Sequence, residues 1–125
     1  MSRYRDESLI LYGLLNDFLN SVYLTSEEFF DTYGLFEWLS PEDTVIHIHK
    51  KFGVPMPPVP DAIEGLSDGE YAKIVYDAAK KLLDALEFNY DEDDPWYREL
   101  LEEYNIDLYK EYAQGIMDAM KEIMS

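Results

Sequence analysis

The sequence predicts an all-α protein, a compact single-domain bundle of five or six helices. Three observations lead to it. Over most of the chain apolar residues recur at the three-and-four spacing of a helix rather than the alternation of a strand. Cap residues stand before these stretches, and Gly or Pro closes several of them. An apolar fraction of 47%, with 15% aromatics in 125 residues, suffices for one buried core and is too high for a disordered chain.

The first helix carries Leu9, Ile10, Leu11, Tyr12, Leu14 and Leu15, apolar nearly all round, which suits a central position; Asp6 or Ser8 can open it. Thr25-Ser26-Glu27-Glu28 reads as a capping box, the Thr25 hydroxyl taking the Glu28 amide while the Glu28 carboxylate reaches back. The helix behind it is expected to end near Leu39. Ser40 then reads as an N-cap with Pro41 at the first helical position, and Glu42 and Asp43 complement the helix dipole.

Val45-Ile46-His47-Ile48-His49 reads two ways. Its alternation and β-branching fit a short edge strand at 44–49. The cap upstream favours a helix instead, with Val45, Ile48 and Phe52 on one face and Gly53 as terminator. The helix is the expectation.

Residues 54–61 hold four prolines and must be extended, close to polyproline II. They read as a stiff connector, 54–66, between helical halves 1–53 and 67–125, with docking into a proline-reading groove as the functional alternative. Ser67-Asp68-Gly69-Glu70 is a second capping box. After it Tyr71, Ile74, Val75, Ala78, Ala79, Leu82, Leu83 and Leu86 keep helical rhythm for four turns. Leu100, Leu101, Tyr104 and Leu108 start a further segment, and Tyr112, Ile116, Met117, Met120 and Ile123 form a last stripe. Asn105-Ile106-Asp107 is the expected break between them.

Charge is the outlying property. Twenty-seven acids against ten bases give −17, where roughly 2 to 8 in magnitude is usual for a small domain. Residues 6–49 hold nine acids and no Lys or Arg, and residues 84–111 hold eleven acids with only Arg98 and Lys110. Direct nucleic-acid binding is excluded as an expectation, because phosphate contacts need clustered bases. With no cysteine there is no disulfide framework and no thiolate metal site. No apolar run reaches the roughly 18 residues of a membrane span, and no signal-peptide pattern opens the chain, so the expected location is the cytoplasm, that of the host cell for a viral protein.

Specific chemistry finds little support. Taking Asp91 as the first position of a calcium loop puts Pro95 at the fifth and Trp96 where the sharp turn needs glycine. His47 and His49 would point about 200° apart on a helix and so cannot share an ion. No nucleophile elbow, phosphate loop or zinc-protease signature is present. The expectation is therefore a protein that is not an enzyme, with no cofactor and no metal.

The run Asp91, Glu92, Asp93, Asp94 is left. Asp94 suits an N-cap before Pro95, but its three neighbours lie upstream and repel one another. Glu99, Glu103, Asp107 and Glu111 recur every four residues; on an unbroken helix they form one stripe at about 6 Å spacing. That is close to two phosphate steps of a DNA strand, at about 3.4 Å each. Eleven tyrosines and two tryptophans exceed what a small core needs. Tyr23, Tyr33, Tyr90, Trp96, Tyr97, Tyr104 and Tyr109 lie among acids, a mixture that suits an Arg- and Lys-rich partner.

In charge, size and lack of catalytic motif the chain resembles the nucleic-acid-mimicking inhibitors that viruses and mobile elements encode against restriction or CRISPR systems. The resemblance implies a basic nucleic-acid-binding protein as partner, a nuclease or effector complex, with no membrane and with homodimerisation open. The expected partner-binding residues are Asp84, Glu87, Tyr90, Asp91, Glu92, Asp93, Trp96, Tyr97, Glu99, Glu103, Asp107 and Glu111. The alternative is a helical adaptor or assembly chaperone whose acids only keep it soluble.

Crowded like charge makes one property testable at once. Screening should relieve repulsion, so the thermal midpoint should be higher in about 1 M sodium chloride than at low salt. A flat or falling midpoint would mean the acids are locally paired.

Overall fold

Helix starts and stops account for the element order. In the computed structural model, which describes residues 3–88 and 102–125 (side chains for 8–86 and 102–125), every regular element is helical. These are α1 (Arg3–Tyr23), α2 (Glu27–Tyr33), a 3-10 turn (Leu35–Leu39), α3 (Pro41–Phe52), α4 (Asp68–Phe88) and α5 (Ile106–Met124). Helix α1 begins at Arg3, ahead of both expected caps.

The first capping signal sits one residue later than its spelling suggests. Ser26, not Thr25, has the extended backbone of an N-cap, and its Oγ accepts from the Phe29 amide at 3.2 Å. Thr25 is still tied to the end of α1: its amide and hydroxyl both donate to the Val22 carbonyl, at 3.1 and 2.7 Å. Helix α2 also stops early. Gly34 takes φ 63°, which glycine adopts without Cβ strain, and the chain re-enters as the 3-10 turn rather than running on to Leu39. Because that turn leads straight on, Ser40 is itself helical and its side chain caps nothing, although Pro41 does hold the first position of α3.

The edge-strand alternative at 44–49 does not form. Those residues lie inside α3, with Val45 and Ile48 buried and Gly53 at φ 67° ending the helix. Pro41 fixes a helical φ at the start, and the acids of the first turn and the basic last turn both suit the dipole; together they outweigh β-branching. The Ser67 box forms as read: Ser67 Oγ accepts from the Glu70 amide at 3.2 Å, and Glu70 Oε1 accepts from the Ser67 amide at 3.3 Å.

Helix α4 packs against both α1 and α5, and α1 also meets α3. One apolar cluster takes Leu11, Leu15, Phe18 and Val22 from α1, Val45 and Ile48 from α3, Val75, Ala79 and Leu82 from α4, and Ala113, Ile116 and Met120 from α5. Ile10 is exposed, so α1 is not buried all round. Phe18 meets Tyr112 edge-on at 6.1 Å, joining α1 to α5.

Residues 54–66 cross the surface without regular structure. Their far end is fastened to the core. The Ile63 amide donates to the Leu24 carbonyl at 2.8 Å, and the Tyr71 hydroxyl donates to the Ile63 carbonyl at 2.7 Å while accepting from the Leu66 amide at 3.4 Å. Tyr71 is buried against Phe29, at 5.5 Å between ring centroids. Tyr71→Phe keeps the ring and removes both bonds. It should cost about 1–2 kcal/mol in urea unfolding and speed hydrogen exchange at the Leu66 amide. An unchanged midpoint with unchanged exchange would show that the hydroxyl holds nothing.

Candidate functional site

Two helix starts line one hollow where the connector is pinned. The first turn of α2 supplies Glu27 and Glu28, and the start of α4 supplies Asp68. The Ile63–Leu24 bond brings Glu64 beside them. They line an open hollow of about 420 Å³ together with Ser26, Gly65, Leu66 and Tyr71. Among the described residues no lysine, arginine or histidine lines it. Each helix end carries roughly half a positive charge, so two ends offset only a minor part of four carboxylates. Glu27, Glu28 and Glu64 are exposed and make no ion pair among the described residues. Asp68 accepts from the Tyr33 hydroxyl at 3.0 Å.

The expected partner-binding residues are distributed differently. Asp84 is exposed on α4. Tyr90, Asp91, Glu92, Asp93, Trp96, Tyr97 and Glu99 lie outside the described residues, as do the side chain of Glu87 and the proposed cap at Asp94. Asp107 and Glu111 are exposed on α5, Asp107 with Lys110 Nζ at 3.8 Å.

Glu103 is exposed but already engaged by its own chain, accepting from Lys51 Nζ at 2.9 Å with His47 Nε2 at 3.2 Å. It ties the short helical segment 102–104 to α3 beside a hollow of about 260 Å³ lined by Asp43, Thr44, His47, Glu103 and Tyr104. The even stripe through Glu103 and Asp107 does not exist. Asn105 between them has φ 55° and ψ 60°, a left-handed backbone that breaks the helix and its four-residue register.

His47 and His49 do diverge on α3. His47 meets Glu103, and His49 Nδ1 contacts the Val54 carbonyl. Among the described residues no group of three His, Asp or Glu side chains is arranged to hold a metal ion.

Among the described residues, the tyrosines read as interface aromatics mostly work inward. Tyr104 and Tyr109 are buried, and Tyr109 bonds Thr44 across α5 and α3. Tyr23 donates to Glu42 Oε2 at 3.0 Å, joining α1 to α3. Burial first, then the bond to Glu42, pushes the Tyr23 phenol up to about 12. Burial also raises Tyr104, Tyr109 and Tyr112, whereas Tyr33 is raised chiefly by its bond to Asp68. Ser8 Oγ and Tyr104 OH are both buried without a hydrogen-bond partner among the described residues.

Sequence spacing does not reveal the acidic hollow, because its acids come from residues 27–28 and 64–68, joined only by tertiary bonds. The available signal was two capping sequences, both acidic in the first turn. The chain matches no protein-family model, no curated protein and no solved structure.

Raised phenols carry a definite pH dependence. A group that binds its proton more tightly when folded stabilises fully below its unfolded value, here 10, and loses that contribution as pH rises through the folded value, about 12 for Tyr23. Urea midpoints should hold up to about pH 10 and fall toward 12, and Tyr23→Phe should make the fall shallower. A decline equally steep in the variant would remove Tyr23 from this role.

Proposed function

We propose that this protein is a non-enzymatic acidic binding protein that occupies the basic groove of a nucleic-acid-binding protein, a nuclease or effector complex. It would do so in the manner of the nucleic-acid mimics directed against restriction or CRISPR systems. The observation that carries the reading is the exposure of Glu27, Glu28 and Glu64 around one hollow that no base lines among the described residues. Asp31 is exposed one turn along α2 from Glu27 and extends the same acidic ground. A guanidinium entering the hollow would meet carboxylates that have no cation to give up, so the charge-assisted bonds form without breaking others. A net −17 adds attraction at long range and speeds encounter. The run Asp91, Glu92, Asp93 belongs to the same proposal as a second point of attachment.

The adaptor reading has one observation of its own. Phe36 is 61% exposed beside Phe30, at 5.5 Å between ring centroids, and so offers an aromatic surface. Apolar burial would carry such an interaction, with little dependence on salt.

Capture from a host lysate across a salt series separates the two. For a mimic the captured protein binds nucleic acid, is released as salt rises and is displaced by duplex DNA. Reversal of Glu27, Glu28 and Glu64 to Lys, or of Asp91, Glu92 and Asp93, should weaken binding by roughly 1.5–3 kcal/mol for each charge-assisted bond removed. If both reversals bind normally, DNA does not compete and Phe36→Ala releases the partner, mimicry is wrong and the adaptor reading stands.

A further inference from the structure

Every residue from 54 to 60 is either a proline or stands immediately before one. Proline holds φ near −65°, and the residue before it is confined to the extended and polyproline II region. The segment is therefore set in polyproline II form before it touches anything. That helix has three residues per turn, so its faces are Val54, Pro57 and Pro60; Pro55 and Pro58; and Met56 and Val59.

Burial follows this division. Val54 and Pro60, the two ends of the first face, are half-buried, with Pro57 exposed between them. Pro55, Met56, Pro58 and Val59 are all exposed, Met56 at 43% and Val59 at 62%. Two faces of three are thus exposed, as pairs Pro55-Met56 and Pro58-Val59 one turn apart, with the Tyr12 hydroxyl reaching Met56 Sδ at 3.8 Å. The segment is held at both ends. Tyr12 OH donates to the Pro55 carbonyl at 2.8 Å and His49 contacts the Val54 carbonyl, while Ile63 is tied to Leu24 and Tyr71. Residues 57–62 make no hydrogen bond among the described residues.

We propose that residues 54–60 are a docking strap for a protein domain whose groove is lined by aromatic side chains and bears positive charge at one end. Aromatic grooves accept polyproline II because successive apolar pairs fit between their rings and little conformational entropy is left to lose. A strap anchored at both ends and stiffened by four prolines has lost most of that entropy in folding. Charge sets the direction. Asp61 and Glu64 follow the strap, both exposed and without ion pairs among the described residues, and Lys50 and Lys51 precede it. The basic end of the groove lies toward Asp61. This surface goes beyond the acidic reading and does not rest on it.

The test titrates the full chain against a panel of SH3, WW and EVH1 domains, following the fluorescence of their groove tryptophans. At least one should bind. Met56→Asp and Val59→Asp should each weaken it about tenfold or more, by bringing a charge to an apolar surface. Both positions are exposed, so helical circular dichroism should not change. Met56→Asp and Val59→Asp leave Glu27, Glu28 and Glu64 in place and should not weaken capture of the partner of the acidic hollow, so the two proposals fail separately. Absence of binding by every domain up to about 1 mM would overturn the strap, the weak limit of specific recognition. Binding that ignores both aspartate substitutions would overturn it equally.

Discussion

Seventeen surplus negative charges limit what the interior can hold. An ionised carboxylate there would lose hydration and also sit in the repulsive field of the others. Ion pairs can fasten the fold at few places, since ten bases face twenty-seven acids and residues 6–49 hold no Lys or Arg. Neutral phenols meet the need. A tyrosine buries its ring and still donates one strong hydrogen bond from its tip, to a backbone carbonyl or to a carboxylate at the rim. Tyr71 and Tyr12 hold the two ends of the connector, Tyr23 joins α1 to α3 through Glu42, Tyr109 joins α5 to α3 through Thr44, and Tyr33 reaches Asp68 at the head of α4. The tyrosine excess belongs to the acidity: hydroxyls connect elements where salt bridges are too few.

The same fastening shapes the surface. Pinning Ile63 to Leu24 draws the connector across the start of α2, which places Glu64 next to Glu27 and Glu28. The acidic hollow and the proline strap are consequently neighbours in the chain, joined by the stretch from Asp61 to Ile63. A chain that loses the Tyr71 hydroxyl keeps its helices yet loosens the place where the hollow meets the strap. Local stability at that corner and the arrangement of its charges have one cause.

Glu103 shows how a surface acid can be held by a base of the same chain. Lys51 and His47 engage it, so it fixes segment 102–104 to α3. Sequence spacing put it in a stripe with Asp107, but the left-handed backbone of Asn105 turns the chain between them. Isolated pairs of this kind contribute little to stability, about 0–1 kcal/mol where exposed, so positioning is their main effect.

Helix punctuation was legible wherever a single residue type decides the backbone. Gly53 stops α3, Pro41 starts it, and the Ser67–Glu70 box starts α4, all through short-range sterics and hydrogen bonds. Thr25 and Ser26 could not be told apart in this way, since both carry a hydroxyl and only the tightened end of α1 decides which one is free to cap. The sequence by itself determined the helical class, the stiffness of 54–60 and the sign of the surface, because each follows from local backbone preference or from composition. Only the tertiary structure decided which acids stand together and which tyrosines are fasteners. Those outcomes depend on bonds such as Ile63 to Leu24 and Tyr33 to Asp68, between residues far apart in the chain, whose meeting no local preference encodes.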